Sequence, residues 1–109
     1  MAYDEKLAAR VREEILGRPG MTEQHMFGGV TFLVGGTMAC GVSGDSLMVR
    51  LSPEDAELAL AEPATRPFHL PGSPMQGWIL VDAGGIAEEE ELRRWLERGV
   101  AYARTLEAG

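Results

Sequence analysis

Lysine and cysteine are almost missing from this 109-residue chain: Lys6 is its one lysine and Cys40 its one cysteine. A lone cysteine makes no internal disulfide and supplies no paired thiols for a zinc site. Histidine is nearly as scarce, with His25 and His69 alone, far outside the close spacing of a metal motif. No apolar run approaches the ~20 residues of a membrane-spanning helix. Residues 1–16 mix charges with apolar positions, where a secretion signal needs a continuous apolar core. The expectations from these absences are a cytoplasmic chain off the membrane, with no metal and no cofactor.

Basic charge is also short. Seventeen Asp and Glu stand against ten Lys and Arg, a formal net charge of -7. The nearest approach to a basic patch is Arg93, Arg94, Arg98 and Arg104, interleaved with Glu89, Glu90, Glu91 and Glu97. Direct nucleic-acid binding needs clustered cations and is disfavoured by this balance. What is present is ordinary globular material, 45% hydrophobic and 25% charged, at a length that predicts one domain over residues 1–109.

Asp4 is placed to cap a first helix whose apolar stripe is Leu7, Val11 and Ile15, and Gly17 with Pro19 ends it. Residues 24–53 then carry formal charge at Asp45 and Arg50 alone, and read as short strands between tight turns. Gly35-Gly36 separates a strand over 30–34 from one over 37–43, and Gly44-Asp45 separates the latter from one over 46–51. Ser52, Pro53, Glu54 and Asp55 start a short second helix that stops at Pro63. After an irregular stretch with a brief strand at 68–70, an apolar run over 78–81 predicts another strand. From Glu88 a last helix aligns Leu92, Trp95, Leu96, Gly99, Val100, Ala103 and Leu106. The order α-β-β-β-α-β-(β)-α predicts an α+β domain of two layers, an antiparallel sheet with helices on one face.

Two-residue hairpin loops place Val34 opposite Thr37 and Ser43 opposite Ser46, and counting onward assigns the faces. Thr31, Leu33, Met38, Cys40, Val42, Leu47, Val49 and Leu51 then point to the helices. Val30, Phe32, Val34, Ala39, Gly41, Met48 and Arg50 point away, forming a second face too apolar for ordinary solvent exposure. Three coverings stay open: the loop around Met75-Gln76-Gly77-Trp78, a second copy of the chain, or a ligand. Ala39 and Gly41 leave room for close approach, and Arg50 needs a carboxylate, a carbonyl or an anionic ligand.

Catalytic readings fare worse. Cys40 is expected to face the core, where a thiol is inert. Gly28-Gly29, Gly35-Gly36 and Gly84-Gly85 lack the spacing of phosphate loops and suit turns or bulges. Glu88 to Glu91 suit the first turn of a helix.

Met26-Phe27-Gly28-Gly29, Phe32, Met38-Ala39-Cys40-Gly41-Val42, Leu47-Met48-Val49-Arg50, and Met75 with Gly77-Trp78 together resemble the N-terminal domain of the TfoX (Sxy) family of competence regulators. The likeness runs from the first helix to the Trp95 helix. It implies a bacterial α+β domain similar to the secretion-chaperone-like fold, here in a stand-alone form. In the two-domain regulators such a domain joins a C-terminal one to promote expression of DNA-uptake genes, together with a cyclic-AMP receptor protein. The resemblance supplies no catalytic residues. The leading expectation is a non-enzymatic protein acting through protein contacts, as a homodimer or on a transcriptional partner. The alternative is a small-molecule or anion-binding module around Arg50. Candidate binding or interface residues are Phe27, Gly28, Gly29, Val30, Phe32, Ala39, Gly41, Met48, Arg50 and Trp78.

Overall fold

The computed structural model describes residues 3–26, 28–70 and 73–108, without the side chains of 26, 69–70, 73–76 and 107–108. Helix α1 is Glu5–Val11, and its N-cap Asp4 accepts hydrogen bonds from the backbone N–H groups of Lys6 and Leu7 at 2.9 and 3.2 Å. It widens into a π-helical turn over Arg12–Leu16 and stops at Gly17. Six strands follow: β1 Met21–Met26, β2 Gly29–Val34, β3 Thr37–Ser43, β4 Ser46–Arg50, β5 Thr65–Leu70 and β6 Ser73–Val81. Helix α2, Pro53–Ala59, lies between β4 and β5; Ser52 caps it and proline opens it. Helix α3, Glu89–Ala108, closes the chain, and the backbone N–H of Glu88 donates to the Glu91 carboxylate at 3.1 Å.

The sheet is antiparallel and open, in the order β1-β2-β3-β4-β6-β5. The domain is therefore α+β, with one strand more than the sequence predicts. That strand, β1, is polar and sits at an edge, so it carries no apolar alternation. The stretch around residue 75 is also strand rather than loop, because β6 runs from Ser73 and pairs with β5 before it reaches β4.

Both predicted turns hold: Val34 pairs with Thr37 and Ser43 with Ser46. Between them the register slips. Phe32 pairs with Cys40 but Leu33 with Met38, which leaves Ala39 as an extra residue in β3. A bulge of this kind puts two consecutive residues on one side and reverses the faces beyond it. The helix-side row across the sheet is consequently Phe32, Cys40, Val49 and Ile79, all with no exposed surface. Val30, Val34, Ala39, Val42, Leu47 and Val81 join the same cluster, packed with Leu7, Val11 and Ile15 of the first helical segment and Leu92, Trp95 and Leu96 of α3.

This corrects the face assignment at specific positions. Val30, Phe32, Val34 and Ala39 belong to the core, whereas Thr31, Leu33 and Met38 lie on the side away from the helices.

Candidate functional site

The helix-free face of the sheet is the candidate site. Its central row is Gln24, Thr31, Gly41, Met48, Leu80 and Arg66, read across the six strands through their five pairings. A parallel row carries Arg50 opposite Trp78. Of the ten candidate residues, Gly41, Met48, Arg50 and Trp78 come together here. Phe27 lies outside the described residues. Gly28 is exposed in the β1–β2 turn with φ 75°, and Gly29 is buried at the start of β2. Val30, Phe32 and Ala39 are on the opposite side.

The face is apolar but not open. Leu33 is 6%, Met48 4% and Trp78 6% exposed, and Thr31 is 1% exposed. Part of this closure is visible in the packing: Met48 lies across Gly41, where its Cε would be 2.6 Å from any added Cβ. Without side-chain bulk at Gly41, Met48 fills the hollow above β3. Phe68 of β5 meets Trp78 with ring centroids 6.2 Å apart. This apolar face is thus largely covered within one chain, and among the described residues the exposed large hydrophobics are Leu58, Leu60 and Leu106.

Two arginines on this face have different surroundings. Arg66 makes a forked contact with Asp82, Nε at 3.0 Å and Nη2 at 2.7 Å, and the Ser46 hydroxyl donates to the same carboxylate at 3.0 Å. The Arg66 hydrogen bond, then that of Ser46, holds the Asp82 carboxyl below its usual range. Arg50 is half-buried; its Nη1 donates to the Met38 carbonyl at 3.4 Å, and its guanidinium lies 5.9 Å from the Trp78 ring centroid. Among the described residues no carboxylate bonds to it. Sequence reasoning identified Arg50 and Trp78 but missed Thr31, Leu33, Met38, Leu80 and Phe68.

Other groups of chemical interest are dispersed. Cys40 is fully buried, and desolvation pushes its thiol up to about 12, which leaves no thiolate near neutrality. His25 is exposed beside Glu23 at 3.6 Å. No group of three metal-ligating side chains occurs among the described residues, and no helix is long and apolar enough to cross a membrane. In the arginine cluster of α3, Arg93 pairs with Glu14 and Arg98 with Glu62, while Glu97 takes Arg18.

A family model described as TfoX N-terminal domain matches residues 4–103. No curated protein and no solved structure matches the chain.

Proposed function

The chain belongs to the TfoX N-terminal domain family, and from that premise we propose a non-enzymatic regulatory protein of the competence type, working in the bacterial cytoplasm through protein contacts. The observation that carries this reading is the extent of the family match, residues 4–103. The side chains are in keeping with it. The one thiol is sealed in the core, where desolvation keeps it protonated near neutrality. Neutralised arginines on α3 favour a protein partner over a phosphate backbone. The test is transcript profiling after induced expression in a bacterial host deleted for the gene. A defined set of transcripts should change with the wild-type chain, and an unchanged transcriptome across growth conditions overturns the reading.

Arg50 favours a second reading, a site for an anionic small molecule, because its described contacts are one long hydrogen bond and an aromatic ring. Thermal melts with carboxylates and phosphates test it. A ligand at a hundred times its dissociation constant should add ~2.7 kcal/mol of stability, and Arg50→Met should abolish the gain. A panel without shifts rejects this reading.

A further inference from the structure

The two edges of the sheet are guarded unequally. At one edge β5 carries Pro67, which has no N–H to offer, and a register shift between Pro67 and His69. At the other, β1 runs six residues without proline or bulge. Its outward backbone groups follow from one hydrogen bond. Gly35 N–H donates to the Gly20 carbonyl at 2.9 Å, so the pairs Thr22 with Leu33 and Gln24 with Thr31, in phase with it, are the hydrogen-bonded ones. The N–H and C=O groups of Glu23 and His25 therefore point out of the sheet. Met21 is different, since its N–H already reaches the Arg18 carbonyl at 3.2 Å.

We propose that the β1 edge binds the β1 edge of a second copy of this chain, antiparallel about a two-fold axis through Gln24, joining two six-stranded sheets into one. The inference rests on the protein-contact reading and names its partner. Antiparallel pairing must bring outward groups opposite outward groups, which limits the register to a few choices. Centring the axis on Glu23 sets two carboxylates face to face, and centring it on His25 sets two imidazoles face to face. Centring it on Gln24 opposes Glu23 of each copy to the partner's His25, twice, while pairing the two Gln24 amides. An imidazole N–H can donate to the carboxylate opposite it, whereas two carboxylates set face to face repel. The carboxylate is already ordered: Arg12 Nε and Nη2 donate to the two Glu23 oxygens at 2.8 Å each. The His25 side chain, beside the Tyr3 ring at 6.0 Å between centroids and its own Glu23, is still 64% exposed and open to a neighbour. The guarded β5 edge stops growth at two copies.

Sedimentation velocity on the full chain over a range of concentrations tests the interface. The wild type should run at twice the chain mass at high concentration. His25→Pro removes the outward N–H and spares the bonds to β2, because Gln24 and Thr31 keep theirs. It should raise the dimer dissociation constant about a hundredfold, counting about tenfold for each of two lost hydrogen bonds. His25→Glu should raise it about tenfold through like charges, and His25→Lys should keep it within about threefold. A wild type that stays monomeric overturns the proposal, as does a dimer indifferent to both His25→Pro and His25→Glu. Should His25→Pro unfold, His25→Glu against His25→Lys decides alone. A monomer that still changes transcripts removes this interface and leaves the functional reading standing.

Discussion

The carbonyl oxygen of Ala39 lies 2.7 Å from the point that a Cβ on Gly99 would occupy. Ala39 is the extra residue of the β3 bulge, and Gly99 is the position at which α3 crosses the sheet. The helix can come this close because glycine stands there, and the close approach seals Cys40 and Val49 beneath α3.

Gly99→Ala should therefore destabilise the protein even though alanine is the better helix former by about 1 kcal/mol. The added methyl meets backbone, which cannot swing aside, so α3 must lift from the bulge. The expected net loss is about 1–3 kcal/mol, read as a lower urea midpoint. A midpoint that rises would show that α3 does not rest on Ala39.

Phe32 gives the second prediction. It has no exposed surface and lies in the core row with Cys40, Val49 and Ile79, so Phe32→Ala should cost about 3–5 kcal/mol. Phe32→Asp should prevent folding rather than separate subunits. Circular dichroism and a denaturant melt decide between these outcomes: a folded, monomeric Phe32→Asp would put the side chain back on the outer face.

How far the fold was legible depends on which residues carried the signal. Gly35-Gly36 and Gly44-Asp45 announce their hairpins, and the caps Asp4 and Ser52 announce α1 and α2, since each rests on local backbone chemistry. The bulge at Ala39 has no such marker. One unpaired residue exchanges Val30 and Phe32 for Thr31 and Leu33, and β2 is apolar at nearly every position, so hydrophobic pattern cannot tell its sides apart. Strand β1 escapes notice because Thr22, Glu23, Gln24 and His25 are polar, as an edge strand permits. Of the candidate site, Gly41, Met48 and Arg50 were legible because all lie on the far side of the bulge from β2, where the count from Gly44-Asp45 remains true, and Trp78 was legible as part of the stretch expected to cover that face.

Cys40 provides a test of burial by chemistry. With its thiol pushed up to about 12 and no exposed surface, it should resist iodoacetamide in native buffer at pH 8 and react promptly in urea. The native rate then reports opening of the α3 layer, and Gly99→Ala should raise it along with the loss of stability. Prompt labelling of the folded wild type would contradict the sealed core.

The last prediction concerns acid. Hydrogen bonding from Arg12 holds the Glu23 carboxyl below its ordinary 4.5, and Arg93 does the same for Glu14. A carboxyl depressed in the folded state contributes stability that is fully present above its unfolded value, and that stability is lost as pH falls through the depressed one. The urea midpoint should thus hold through the neutral range and decline below about pH 5. Arg12→Met removes the partner of Glu23 while leaving Glu14 with Arg93. Its midpoint should be lower at pH 7, and the gap to wild type should narrow as pH falls through the depressed Glu23 value, because protonation removes the carboxylate that Arg12 stabilises. A gap that stays constant over that window would mean that Arg12 acts by packing its stem against Tyr3 and β1 and not through the carboxylate.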